Sequence, residues 1–414
     1  MASVRIAIVT TGRADYGVLY PLIQALMRID FFDVQLIATG AHLSPLHGKT
    51  LALIQQDDVQ VADTVEMIMK GDSEADICTS IAVGLKGFSS ILDTRQPDLV
   101  VVLGDRYELW AVCIAAVIHK VPIAHLYGGE STFGLIDEAV RHSVTKMATF
   151  HFASIEAYAK RIVQMGENLS RVFVVGALAI DNIKAMRLMD AREFAEYTGI
   201  DPEMNAVALF TYHPVTLDDR KLASVQVREI LEALIRTDLV TLATMPNADT
   251  GASTILQTIQ EYLARYPKRF RFVANLGQRG YVSAMRHARI MIGNSSSGIV
   301  ESPSFKLPVV NVGDRQAGRI KAANVLDCPC SQEPILRTIE KALSPEFTMS
   351  ISNLDSPYGD GTAAQRIASI LKDIDYSDKS RLIKKGFCDI DLPSLPDLTR
   401  VGDVCHANSV HRNR

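Results

Sequence analysis

The sequence predicts an α/β protein of two Rossmann-like domains, each a parallel sheet covered by helices, with a ligand cleft between them. Short runs rich in Val and Ile alternate with helix-compatible segments, which is the pattern of strands buried on both faces. The alternation restarts after a polar region at 190–205, and polar clusters containing glycine stand where the predicted strands end. Open parallel sheets bind ligands beyond the carboxyl ends of their strands, so both halves are expected to direct chemistry at one cleft.

In the first half, strands are expected at 4–9, 34–38, 99–103, 122–126 and 172–175. Apolar residues spaced by threes and fours predict helices at 17–29, 76–93, 106–119, 137–147 and 155–165. The second half is expected to place strands at 207–211, 239–244, 270–273, 290–292 and 308–312. A helix at 362–374 precedes a charged tail in which Pro393 and Pro396 discourage regular structure; the tail receives no active-site role. This divides the chain into a first domain at 1–185, a second at 186–360, and a closing segment at 361–414 whose helix packs back on the first domain.

With 414 residues and 48% hydrophobic content, the chain can bury two cores, which excludes a disordered or fibrous protein. Charge is nearly balanced, 43 Lys and Arg against 47 Asp and Glu, so no global field draws it to nucleic acid and any anion must be held locally. The apolar stretch at 1–10 carries Arg5 and is too short to span a membrane. Cys78, Cys113, Cys328, Cys330, Cys388 and Cys405 form no CxxC pair, and reduced thiols in the cytoplasm are the simplest account. No metal is predicted: HExxH is absent, and Asp373-Ile-Asp375 and Asp389-Ile-Asp391 lie in the charged C-terminal region. Gly48-Lys-Thr50 looks like the end of a P-loop, but Leu43 stands where that loop needs Gly.

Gly293-Asn-Ser-Ser-Ser-Gly298 follows a predicted strand, and its amides and hydroxyls at Ser295, Ser296 and Gly298 could converge on a phosphate at a helix N-terminus; an ordinary serine N-cap is the competing reading. Glu301, one turn into that helix, could accept both hydroxyls of a ribose. Thr11-Gly-Arg-Ala-Asp-Tyr-Gly17 occupies the first strand-to-helix turn, where Arg13 offers a guanidinium fork to a diphosphate, with Arg315 a second candidate. The acidic constellation comprises Asp105 in Leu103-Gly-Asp-Arg106, Glu130 after two glycines, and Asp137 beside Glu138. Clustered carboxylates raise one another's pKa, so one can stay protonated as an acid while another serves as base. Asp137 and Arg141, spaced i and i+4, could instead be a simple salt bridge. His213 ends the first strand of the second half, where it could reach a phosphate or a reacting proton, and His42 ends another strand, where it could touch a sugar.

These segments together resemble the hydrolysing UDP-N-acetylglucosamine 2-epimerases of sialic acid biosynthesis, which share the GT-B fold. The likeness spans 4–390 and rests on Thr11 to Tyr16, Leu103 to Arg106, His125-Leu-Tyr-Gly-Gly-Glu130, Ile136-Asp-Glu138 with Arg141-His142, His213-Pro-Val-Thr216, and Gly293 to Gly298 with Glu301. The resemblance implies that Asp105, Glu130 and Asp137 are acid/base groups with His213 beside them. It implies that Arg13, Ser295, Ser296, Glu301 and Arg315 hold UDP, with His42, Arg106 and Gly298 also on the substrate side. Tyr281, expected in the loop before the strand at 290, would then lie against uracil. It further implies a UDP-sugar as the binding partner, no cofactor, and a homodimer or homotetramer. The segment after Phe387-Cys-Asp-Ile390 is longer than the family usually carries.

The implied reaction takes UDP-N-acetylglucosamine to UDP and N-acetylmannosamine. The C2 proton has no adjacent carbonyl, so its removal needs concurrent departure of UDP from C1, giving a glycal that water then attacks. Two faces of the alkene require two separately placed acid/base groups. Four alternatives remain open at this point: the same reaction on a UDP-2,4-diacetamido-trideoxy-glucose, a non-hydrolysing 2-epimerase, a GT-B glycosyltransferase, and a nucleotide-sugar binding protein without catalysis.

Overall fold

A computed structural model describes residues 3–44, 50–57, 59–67, 73–133, 135–215, 222–246, 252–273 and 276–390. The tail with Pro393, Pro396 and Cys405 lies outside the described residues, as do Gly48, Lys49, Thr216 and Asp391. Two all-parallel sheets organise the chain. The first contains β1 (Val4–Thr10), β2 (Phe32–Thr39), β3 (Val61–Val65), β4 (Leu99–Leu103), β5 (Ile123–Leu126), β6 (Phe150–Ala153) and β7 (Val172–Val174). Its spatial order is β3-β2-β1-β4-β5-β6-β7. The second contains β8 (Val207–Thr211), β9 (Val240–Thr244), β10 (Phe270–Val273), β11 (Ile290–Gly293), β12 (Val309–Val312) and β13 (Val325–Cys328), in the order β10-β9-β8-β11-β12-β13. This is the GT-B architecture of two Rossmann-like sheets.

Every strand expected from Val- and Ile-rich runs is present, and β4, Leu-Val-Val-Val-Leu, is buried along its whole length. β3, β6 and β13 were not expected. Asp63, His151 and Asp327 interrupt their apolar character, and β6 and β13 are only four residues long. Strand order reverses between β1 and β4 in one sheet and between β8 and β11 in the other. Loops leaving those four strands diverge to opposite faces and open a crevice, so the chemistry-bearing segments after Thr10, Leu103, Thr211 and Gly293 all border the two switch points.

The helix Glu74–Arg95 is long and apolar enough to cross a membrane by length and composition. It is instead docked against the first sheet. Ser73 and Asp76 form a capping box at its start, Phe88 and Leu92 enter the core, and a Cβ at Gly84 or Gly87 would press on Met67 and Ala111 or on Val65. The polar region at 190–205 holds a helix, Ala191–Thr198, capped by Asp190 and Glu193 and anchored by buried Phe194. One strongly amphipathic stripe on so short a helix reads as loop by composition.

Two helices tie the halves together. Leu178–Ala185 packs on Arg13–Met27, and the later helix Ala363–Lys372 returns to the same core through Ala364, Ile367 and Leu371. The Asp181 carboxylate accepts the amides of Ala363 and Ala364 at 3.1 and 2.8 Å, satisfying the free end of that returning helix. Pro21 lies inside Arg13–Met27 and lacks the amide that the Gly17 carbonyl would otherwise accept. That carbonyl is taken by Asn182 at 2.5 Å and by Gln278 of the second half at 3.3 Å. An apolar cluster of Ile155, Tyr158, Ile180, Ile299, Val300 and Tyr358 draws on both halves.

Removing the Asp181 carboxylate strands two buried amides. Asp181→Ala is expected to cost about 1–3 kcal/mol in urea unfolding, with hydrogen exchange rising in 363–372 before the sheet.

Candidate active site

The first-half side of the crevice is assembled around a buried guanidinium. Arg141, on the helix Asp137–Met147, is 1% exposed and donates to Asp105 through Nε at 3.0 Å and through Nη2. It also donates to Glu138 at 2.6 Å, to the Glu130 carbonyl at 3.1 Å and to Thr132 at 2.8 Å. Burial pushes the Asp105 carboxyl up, but the charges of Arg141 and Arg319, the Arg141 hydrogen bonds and Arg106 hold it below the usual carboxylate range. Asp105 is therefore ionised, which corrects the expectation that neighbouring carboxylates would raise it. Along its own helix Arg141 reaches back to Glu138, one position closer than Asp137. Asp137 is left half-buried at the helix start. Burial raises the Glu138 carboxyl as well, yet bonds from His142, Ser131 and the Thr132 amide, with the Arg141 charge, leave it well below normal.

The backbone brings these groups together through unusual turns. Gly104, Tyr127 and Gly129 have φ of +81°, +66° and +77°. A Cβ at Gly129 would collide with the Tyr158 carbonyl, so the residue before Glu130 must be glycine. His125 is fully buried, with Nε2 2.8 Å from the Gly104 carbonyl and Nδ1 3.2 Å from Thr145. It fastens the turn that presents Asp105.

Two more groups belong to this cluster and were missed in sequence. Asp15, in the first turn, accepts from Thr11; burial pushes its carboxyl up to about 6 against the pull of Arg106, with Glu108 and Asp105 adding to the rise. Arg106 in turn lies 3.3 Å from the fully buried Glu108. The second is Arg319, whose Nη1 stands 2.9 Å from the Glu130 carboxylate and which comes from the second half. The available signal was a second arginine four positions after Arg315, following the same strand.

Across the crevice, Asn294 links the turns after β8 and β11. Its side chain accepts the His213 amide at 2.7 Å and donates to the His213 carbonyl at 2.8 Å. Its own carbonyl accepts Arg315 Nη1 at 3.2 Å and Gln316 at 2.8 Å. Burial, reinforced by the Arg315 charge, puts the His213 imidazole well below its ordinary value, so the ring is neutral. Ser295 and Ser297 share a hydrogen bond of 2.7 Å, and Ser297 continues to the Tyr281 hydroxyl at 2.6 Å.

Several expectations need correction here. Tyr281 lies in the helix Gly277–His287, not in a loop, and its hydroxyl joins the serine turn. The helix after that turn is only Ser297–Val300, with Ser296 before it and Glu301 closing it, so its dipole is small and the local hydroxyls and amides remain as anion donors. Gly298 permits close packing, since a Cβ there would lie 3.1 Å from Val309. His42 is 1% exposed, and both ring nitrogens are engaged, by Thr10 at 3.0 Å and Thr50 at 2.8 Å, which leaves none to offer a sugar. Arg13 stands exposed at the first position of its helix.

The two halves meet through 313–320. Arg315 and Gln316 hold the serine turn, Ala317 accepts the Phe133 amide at 3.2 Å, and Arg319 holds Glu130. One segment thus touches both the serine turn and the acidic cluster. A family profile described as UDP-N-acetylglucosamine 2-epimerase matches residues 24–372, and the chain belongs to that family. It is 36% identical over 350 residues to the GDP/UDP-N,N'-diacetylbacillosamine 2-epimerase (hydrolyzing) of Campylobacter jejuni, covering 84% of this chain and 89% of that one. It is 34% identical over 371 residues to the UDP-N,N'-diacetylbacillosamine 2-epimerase (hydrolyzing) of Legionella pneumophila, covering 89% and 96%. Among solved structures, the UDP-GlcNAc 2-epimerase of Neisseria meningitidis bound to UDP-GlcNAc superposes with a TM-score of 0.74 at 19% identity, covering 89% of this chain and 99% of that one; it shares the fold.

Burial pushes the Glu301 carboxyl up to about 7. The folded chain therefore keeps a proton there between the ordinary 4.5 and about 7, where the unfolded chain has released it, so stability falls as pH rises through that window. Glu301→Gln removes this dependence. Its melting temperature relative to wild type is expected to gain by about 2 °C or more from pH 5 to pH 8, and a constant difference would contradict the burial of that carboxyl.

Proposed function

We propose that this protein is a hydrolysing 2-epimerase that converts a UDP-linked 2,4-diacetamido-trideoxy-glucose to UDP and the free sugar of inverted C2. The observation that carries the reading is the ion pair of Asp105 with buried Arg141, in a cluster joined through 315–319 to a serine turn that Arg315 and Gln316 support. The diacetamido sugar takes precedence over UDP-N-acetylglucosamine because the two relatives at 36% and 34% identity are both named for it.

Asp105 is the carboxylate suited to remove the C2 proton, since Arg141 keeps it charged even though it is desolvated. As the C2–H electrons form the C1=C2 bond, the C1–O bond breaks and its pair leaves with UDP. Arg13 and Arg315 offset the charge on the departing diphosphate, the neutral His213 can donate one hydrogen bond to it, and Ser295 and Ser296 add further donors, with Gly298 allowing the close packing of their turn. Glu301 receives the ribose hydroxyls, Tyr281 closes the nucleotide end, and Arg106 lines the sugar side. Water then adds to C1, losing a proton to a carboxylate, while C2 takes a proton on the opposite face from a carboxylic acid. Glu130 and Asp137 are the remaining acid/base groups for this second step. Asp15, whose carboxyl holds its proton to about pH 6, can resupply one.

The test is incubation of each UDP-sugar in deuterated water. Free UDP should accumulate with sugar turnover, one deuterium should enter at C2, and kcat/KM should favour the diacetamido sugar. Asp105→Asn should lower kcat by about 100-fold or more while retaining UDP binding. Protium wholly retained at C2 would overturn the mechanism; preference for UDP-N-acetylglucosamine would overturn only the substrate.

A further inference from the structure

We propose that Arg319, supplied by the second domain, is the positioning residue for Glu130 of the first, so that the acid/base cluster is complete only while the two halves are in contact. The inference rests on the epimerase reading above and adds to it a dependence on domain contact. Arg319 Nη1 lies 2.9 Å from Glu130 Oε2, and the two side chains are 11% and 5% exposed. Among the described residues no other side chain bonds to the Glu130 carboxylate. Arg141 touches Glu130 only at its main-chain carbonyl. Burial would drive the Arg319 guanidinium toward neutrality, but Glu130 and Asp105 outweigh it and keep it charged.

Its placement depends on contacts with the other half on both sides. Before it, Ala317 accepts the Phe133 amide at 3.2 Å, and Gly318, at φ +89°, sits where a Cβ would press on Ser131. After it, the Ile320 amide donates to the Tyr158 hydroxyl of the other half at 3.0 Å, while the Ile320 carbonyl accepts from Tyr358 of its own half at 2.7 Å. Among the described residues Arg319 Nε has no hydrogen-bond partner, and the ion pair of its guanidinium is to Glu130 of the other half. A carboxylate whose acid/base work depends on close placement against the sugar is therefore oriented by a cation that arrives with the nucleotide-binding half. Domain contact and proton transfer become one event, and an acid/base group left loose in the open enzyme would not act on water or on a poorly seated sugar.

The experiment compares wild type, Arg319→Gln, Arg319→Lys, Glu130→Gln and the double variant Glu130→Gln/Arg319→Gln. Arg319→Gln should lower kcat by roughly 10- to 100-fold with KM and UDP affinity within about threefold, because UDP is held elsewhere. Arg319→Lys should recover part of the loss, since it keeps the charge without the planar fork. The double variant should be no slower than Glu130→Gln alone. In hydrogen exchange with UDP bound, the Phe133 amide should open faster in Arg319→Gln than in wild type. A kcat for Arg319→Gln within twofold of wild type, or additive losses in the double variant, would overturn the inference, as would equal losses in Arg319→Gln and Arg319→Lys at unchanged melting temperature. If wild type releases no UDP from any UDP-sugar, the epimerase reading fails; the exchange of Phe133 then decides the Arg319 contact alone, and unchanged exchange rejects it.

Discussion

The guanidinium of Arg141 is the charge around which the acidic side of the crevice is arranged. Asp105 and Glu138 both point at it, and the Glu130 carbonyl and Thr132 hydroxyl complete its donors. Carboxylates gathered in so dry a place would otherwise neutralise by taking up protons, because desolvation penalises their charge. Arg141 leads the reversal of that tendency for Asp105, with Arg319 and Arg106 beside it, and joins the His142, Ser131 and Thr132 hydrogen bonds in reversing it for Glu138. Asp105 is thus charged and desolvated together, and desolvation strengthens the pull of such a carboxylate on a proton.

A division of labour follows from where the cations come from. Arg141 belongs to the same half as Asp105 and gives that carboxylate its largest opposing charge from within its own half. Arg319 belongs to the other half and serves Glu130. Between them, Arg315 and Gln316 grip the Asn294 carbonyl, so a single connecting segment touches the anion-binding turn at one end and the acidic cluster at the other.

Much of this was legible in sequence because strand interiors and strand ends speak different chemical languages. The Val-Ala-Leu-Phe-Thr of β8 or the Leu-Val-Val-Val-Leu of β4 can only be buried strand, and the polar residues that follow must be crevice. β6 was illegible because His151 divides its four residues, and only the fold reveals that Glu167 pairs with that ring at 3.0 Å. Site residues carried on their own motifs could be named; their partners could not. Helical spacing allows Arg141 to meet either Asp137 or Glu138, and side-chain direction chose the latter. Arg319 and Glu130 lie in different halves, where periodicity has nothing to say. His42 shows the opposite failure: its position at a strand end suggested a ligand contact, while its two threonine partners make it part of the scaffold.

The proline inside the first helix has a mechanical meaning. Because Pro21 leaves the Gly17 carbonyl without an acceptor role in its own helix, that oxygen is shared by Asn182, which stays with the first half, and Gln278, which travels with the second. Parting the halves breaks only the longer bond. With Asn182 in place the oxygen keeps a donor from its own half, so its satisfaction does not depend on the second.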